Sequence, residues 1–164
     1  MPTIDSIITD VLRREGWDKV TNDPSDLGGL TQFGLTKRDN PTEWADGKVT
    51  EAEARTRYRK KYVEWPRFDK IPAAYSALQA QIIDYGVNSG PQLAIMKLQA
   101  LIGAKIDGQL GPKSLAALLD HDPFKINNQL MGERIRMFGR IIQSRPNQIK
   151  FLGGWLERAL EFLN

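Results

Sequence analysis

The chain contains no cysteine and only one histidine, His121. The first absence removes disulfides, thiol nucleophiles and thiolate metal sites together. The second leaves imidazole chemistry to one residue in the turn Asp120-His121-Asp122-Pro123, and there is no Gly-x-Ser-x-Gly elbow on which to build a serine triad. Imidazole zinc sites usually need two or three histidines, so no metal and no cofactor is expected. No run of 18 apolar residues occurs, which excludes a spanning helix. Asp5, Asp10, Arg13, Arg14 and Glu15 break up the segment where a signal peptide would carry its apolar core, so the expected location is the cytoplasm. No Ser/Gly-rich linker separates domains. By elimination, the chemistry left to the chain is that of carboxylates.

The 164 residues, 41% apolar and 26% charged, suit one compact globular unit. Net charge is +3, unevenly spread: residues 1–50 hold six Lys/Arg against nine Asp/Glu, and the remainder 17 against 11. Basic residues gather at Arg55, Arg57, Arg59, Lys60 and Lys61, and again at Arg134, Arg136, Arg140 and Arg145. Such clusters read either as solvated helix faces or as a surface for a polyanion such as nucleic acid, an anionic membrane or a bacterial wall. No nucleic-acid-binding motif accompanies them, so nucleic acid is not the expected partner.

Apolar residues at Ile4, Ile8 and Val11, with Ile7 and Leu12 beside them, predict an amphipathic helix over 3–15. One further step of four places Glu15 at the end of the apolar stripe. A carboxyl on an apolar wall is desolvated, which raises its pKa and suits it to act as a general acid. The alternative for a Glu at a helix end is a solvated surface charge. Residues 16–36 are rich in Gly, Asp, Asn and Thr, and Leu30-Thr31-Gln32-Phe33 is the one plausible β element. Thr50 and Glu53 form a capping box opening a helix through about Tyr62. Further helices are predicted from Ala73 to Tyr85, ending at Gly86; from Pro91 through Leu101; from Pro112 to Leu119; from Pro123 to Ser144; and from Gln148 to Leu163, with Ile149, Leu152, Leu156, Leu160 and Leu163 on one face. The fold class is mainly α.

Arg14-Glu15-Gly16-Trp17 followed by Asn22-Asp23-Pro24-Ser25-Asp26-Leu27-Gly28-Gly29-Leu30-Thr31-Gln32-Phe33-Gly34-Leu35-Thr36 resembles the Glu-Gly-Gly … Asn-Asp-Pro-x-Asp-x-Gly-Gly-x-Thr-x-x-Gly-Ile-Thr signature of the glycoside hydrolase family 108 muramidases. Trp17 stands where the second Gly is usual, and Leu35 where Ile is. Tyr58-Arg59-Lys60-Lys61-Tyr62 is similar to the basic Tyr segment of that family, with Val63 where an aromatic is common. Asp84-Tyr85-Gly86-Val87-Asn88-Ser89-Gly90, Leu98-Gln99 and Asp107-Gly108-Gln109-Leu110-Gly111-Pro112 resemble the peptidoglycan-binding region paired with it. For this second likeness, a tight turn before a Pro-initiated helix is the alternative.

The resemblance implies a lysozyme-like fold of two lobes with a small β-hairpin lobe near the N-terminus: residues 1–70 a catalytic lobe, and 71–164 a helical peptidoglycan-binding lobe packed in the same unit. It also implies an N-acetylmuramidase cutting the β-1,4 bond between N-acetylmuramic acid and N-acetylglucosamine, with peptidoglycan as partner. A lytic transglycosylase and a non-catalytic wall-binding module are the alternatives. As an endolysin it would be a monomer that reaches the wall through a holin-opened membrane; a secretion-associated muramidase makes the same demands on sequence. Glu15 is the expected acid. Asp26 is preferred over Asp23 as second carboxylate, because it adjoins Gly28-Gly29, where bare backbone admits a sugar. Thr31 would position water. Trp17, Gly28, Gly29, Gln32, Tyr58 and Tyr62 are the expected substrate contacts, with Trp44 and Trp65 as further groove aromatics; core packing is the alternative for each aromatic. Trp155 is expected in the core.

Overall fold

Thr3 opens the first helix: its hydroxyl accepts from the Ser6 amide while the Ser6 hydroxyl accepts from the Thr3 amide, a reciprocal cap. In a computed structural model that describes residues 2–22 and 29–163, this helix, α1, runs Ile4–Arg14 and buries Ile7, Ile8, Val11 and Leu12. Its end is equally local. The Gly16 amide donates to the Arg13 carbonyl and the Trp17 amide to the Leu12 carbonyl, with Gly16 at φ 91°. That is the Schellman closure, which needs a left-handed residue just past the cap. Glu15 is the capping residue itself.

The predicted β element is a hairpin of β1 (Thr31–Gln32) and β2 (Leu35–Thr36), with Thr31 opposite Thr36 and Gln32 opposite Leu35. Both residues of its two-residue loop, Phe33 and Gly34, have positive φ (52° and 72°), as a tight hairpin turn requires. The Phe33 ring is buried in the core, which holds this residue in its unfavourable backbone region.

The Thr50–Glu53 capping box starts α2 (Glu51–Arg59), which continues as a π-helical turn, Lys60–Glu64. Short 3₁₀ turns at Phe68–Lys70 and Ala73–Tyr75 lead into α3 (Ser76–Ser89). This helix passes through Gly86 instead of stopping there. A side chain at 86 would come within 3.3 Å of the Phe68 ring and 3.4 Å of the Pro91 backbone, so this glycine serves close packing, and Gly90 ends the helix. Prolines start α4 (Pro91–Leu101), α5 (Pro112–Leu118) and α6 (Pro123–Ser144), as expected of residues that lack an amide the first turn does not use.

The terminal segment departs from the predicted helix. Pro146–Phe151 is 3₁₀ and only Leu152–Leu160 (α7) is α-helical. The change of period rotates the inward face, which becomes Leu152, Trp155, Leu156 and Ala159 packed on Phe138 and Met131 of α6. Trp155 stacks between Phe138 and Phe151. Ile149, Leu160 and Leu163, predicted on the buried face, are exposed.

α3 lies against α1, α4 and α6, and one core runs continuously from α1 and the hairpin through α3 into α4 and α6. The architecture is mainly helical and lysozyme-like, with its small hairpin near the N-terminus. No helix among the described residues is long and apolar enough to cross a membrane.

In the C-terminal half, one buried amide organises the turn before α5. Gln99 Nε2 donates to Asp107 Oδ1 (2.9 Å), the Gln109 carbonyl (3.0 Å) and Ser114 Oγ (3.1 Å), while its Oε1 accepts from the amides of Asp107 and Gly108. Gln99→Leu strands two backbone N–H groups and is expected to cost about 2–3 kcal/mol, read as a fall in Tm of roughly 5–10 °C by thermal unfolding.

Candidate active site

Glu15 is held where the helix itself would not hold it. A carboxylate at the C-terminal end of α1 faces the negative end of the helix dipole, so its position depends on partners from elsewhere. Arg158 of α7 supplies the main one: its Nη1 donates to Glu15 Oε1 at 3.0 Å. Oε2 has no hydrogen-bond partner among the described residues, and the side chain is 25% exposed. The expected apolar wall is thus corrected to a polar setting, a guanidinium on one oxygen and the hairpin turn beside the other.

Arg158 is in turn fixed from behind. Its Nε donates to Asp84 Oδ1 at 3.0 Å, with Nη2 2.9 Å from the same oxygen. Asp84 sits on α3 with no solvent exposure, and its Oδ2 accepts from Arg134 of α6 at 2.5 Å. Arg14 adds a cation 3.7 Å from Asp84 and also pairs with Glu161. Burial by itself would lower the Arg158 guanidinium, but the carboxylates of Asp84 and Glu15 outweigh it and hold it above its ordinary value. Burial lowers Arg134 against the opposing pull of Asp84, yet an arginine stays charged in proteins. Its Nε and Nη1 find no hydrogen bond among the described residues, and the rings of Tyr85 and Phe162, 5.4 and 5.8 Å from its guanidinium carbon, stand in for them. Arg134, read from sequence as part of a surface cluster, is therefore a correction. It is fully buried, whereas Arg136 and Arg140 of that cluster do lie exposed beside Glu133.

The hairpin closes on Glu15 through Gly34. A side chain there would place its first carbon 2.5 Å from the Tyr58 hydroxyl, 3.0 Å from Glu15 Cβ and 3.2 Å from Glu15 Oε2. The Tyr58 hydroxyl donates to the Phe33 carbonyl at 3.0 Å, locking α2 to the turn. Burial, with the Glu15 charge and Tyr62 adding to it, pushes the Tyr58 phenol far above its usual range, so it stays a neutral donor.

The remaining expected site residues divide as follows. Asp23, Asp26 and Gly28 lie outside the described residues. Thr31 is half-buried on β1, its hydroxyl donating to the Gly29 carbonyl at 3.2 Å and its backbone bridging to Thr21. Gly29 has φ 72° and open space on its side-chain face. Trp17 is half-buried, edge-on to Phe33, with φ 53°. At this position the resemblance has Gly, and the left-handed backbone explains why a glycine suits it. Gln32 and Tyr58, both expected as substrate contacts, are buried. Gln32 is buried, its amide donating to the Asp18 carbonyl and accepting from the Val49 amide. Tyr58 is buried as described, and Trp44 is buried with its indole N–H on the Leu35 carbonyl. Tyr62 is half-buried against Tyr58 at 5.3 Å, and Trp65 is exposed. Arg158 was not singled out from sequence, and Asp84 and Gly34 stood within quoted motifs with no role of their own. The available signal was a charged residue, Arg158, adjoining the apolar stripe of α7.

Gly34→Ala combines a left-handed backbone with a clash against Tyr58, and is expected to destabilise by about 2–3 kcal/mol. Tyr58→Phe in the same chain removes the clashing oxygen, so the double variant should lose less than the sum of the singles in thermal unfolding. Strict additivity would mean that the two groups do not meet.

Residues 8–90 match the family model described as Glycosyl hydrolase 108, and residues 93–160 the one described as Predicted Peptidoglycan domain. The chain is similar to the solved structure of Brucella abortus SagA: 27% identity over 96% of this chain and 94% of that one, with a TM-score of 0.67. No curated protein matches it. A carboxylate pinned on one oxygen at a hairpin–helix junction, within a chain matched on both halves in this way, places the protein in glycosyl hydrolase family 108, as a glycoside hydrolase of the muramidase class.

Proposed function

We propose that the chain is an N-acetylmuramidase hydrolysing the β-1,4 bond between N-acetylmuramic acid and N-acetylglucosamine, with Glu15 as general acid. The observation that carries this is the asymmetry of the Glu15 carboxyl. Oε1 is anchored by Arg158, and Oε2, beside the bare backbone of Gly34, has no hydrogen-bond partner among the described residues. Anchoring one oxygen fixes the plane of the group, so the other delivers its proton to the leaving glycosidic oxygen in a set direction.

Glycoside hydrolysis needs a second carboxylate, to activate water or to take the sugar as a covalent adduct. The segment between Asn22 and Gly29 supplies it, Asp26 in preference to Asp23, with the Thr31 hydroxyl positioning the water. The separation of the two carboxyls decides the stereochemistry, about 5 Å for retention and about 6.5–9.5 Å for inversion; the likeness to phage lysozymes favours inversion. We assign residues 1–70 to catalysis and 71–164 to wall binding. The chain then acts as a monomeric endolysin that reaches the wall from the cytoplasm through a holin-opened membrane. Lysis of a producing culture only when a holin is co-expressed tests that route.

Glu15→Gln is expected to lower clearing of purified wall suspensions at least about 100-fold, as loss of a positioned proton donor does, with the melting profile little changed. Asp26→Asn should fall comparably and Asp23→Asn less. Mass spectrometry should show muropeptides with free reducing ends, and an anhydro product would mean transglycosylation. Arg158→Lys cannot hold Asp84 and Glu15 with one rigid fork. It is expected to cost about 10–100-fold in rate while leaving substrate binding by the Glu15→Gln chain intact. Unchanged turnover would remove Arg158 from the mechanism.

A further inference from the structure

A second site lies at the seam between the two family matches. The π-helical turn Lys60–Glu64 ends in Trp65, whose side chain is 70% exposed, the most exposed large hydrophobic residue described. Two residues on, Arg67 holds φ 63° and is exposed, with no ion pair or hydrogen bond among the described residues. A left-handed backbone in a residue that is not glycine, and a π turn inside a helix, are both features that concentrate at functional sites. Trp65 and Arg67 line a groove of about 450 Å³ whose far side is the Asp107–Gly111 turn, with Ile95 and Leu110 contributing apolar surface and Gln92 and Gln109 carboxamides. Gly108, at φ 71°, is backed by Gln92 so closely that a side chain would sit 2.6 Å from it. The buried Gln99 amide holds the turn in place. The groove is thus built by rigid elements from both the hydrolase match and the peptidoglycan match.

We propose that this groove binds the peptide-bearing disaccharide of peptidoglycan, with Trp65 stacking on a sugar ring and Arg67 taking a carboxylate of the peptide stem. The proposal rests on the muramidase reading for the identity of the polymer. The chemistry is complementary in three respects. The apolar face of a pyranose fits a flat indole. The carboxamides suit the N-acetyl and hydroxyl groups at its rim. The Arg67 guanidinium, without a partner among the described residues, can donate to the hydroxyls of a neutral glycan but pairs more strongly, and bidentately, with a carboxylate, and the stem peptide is where the wall carries carboxylates. Trp65 is seven residues past Tyr58 on the same helical segment.

The test uses the full-length chain with Glu15→Gln, so that ligands bind without being cut. Soluble disaccharide-tetrapeptide and a neutral N-acetylglucosamine oligomer are titrated calorimetrically. Arg67→Gln is expected to weaken the disaccharide-peptide at least about tenfold and to leave the oligomer unaffected. Trp65→Ala should weaken both. Both residues are exposed, and thermal unfolding checks that each variant folds. The proposal is overturned if either variant binds the disaccharide-peptide within about twofold of the parent, or if Arg67→Gln weakens the neutral oligomer equally. Cleavage of peptide-free glycan strands by the chain with Glu15 intact is measured in parallel. Failure there counts against the muramidase reading, so the two failures are told apart.

Discussion

The Arg158 guanidinium, shared between Glu15 and the buried Asp84, is the interaction on which the rest of the structure depends. Glu15 is set at a helix end whose dipole disfavours it, and its cationic partner comes from a helix 143 residues further along the chain. Removing one member of a buried ion pair typically costs 3–5 kcal/mol, because the survivor is left unpaired in a poor solvent. Here the members are linked in a chain: Arg134 and Arg158 both hold Asp84, Arg14 approaches it, and Glu15 and Glu161 close the ends. Three cations and three carboxylates balance. The adjacent residues Arg14 and Glu15 reach Glu161 and Arg158, so the end of α1 and the face of α7 are latched together by two crossed pairs.

The latch explains why the C-terminal half is not a detachable appendage. α3, which carries Asp84, lies within the hydrolase match yet packs on α4 and α6 of the peptidoglycan match, and the core is continuous across both. The Glu15 carboxyl and the helices of the peptidoglycan match are therefore mechanically joined. The groove at Trp65 and Arg67 fits the same logic, since its two walls come from the two matched regions and its far wall is held by Gln99.

The hairpin has a comparable double duty. Its turn needs positive φ at both Phe33 and Gly34, but only at Gly34 does the space also forbid a side chain, because Tyr58 and Glu15 meet there. Tyr58 then ties the turn to α2 through the Phe33 carbonyl. Tyr58 thereby fixes the backbone beside Glu15, and Gln32 bridges Asp18 and Val49 in the same way.

Much of this was legible in the residues themselves, wherever the cause is local. The capping box at Thr50, the proline starts of α4, α5 and α6, and the Glu-Gly step that ends α1 depend on residues within one turn of each other. That is why Glu15 could be placed at the helix end, and the hairpin found, from sequence. Tertiary structure decided the environment of that carboxyl, the burial of Arg134, the inward phase of α7 and the roles of Asp84, Gly34 and Tyr58. Each of these depends on side chains distant in sequence, from about 20 residues apart to more than a hundred, that meet only when the core closes. An arginine that will pair with a buried carboxylate and one that will face water occupy the same kinds of helical position, and no local pattern separates them.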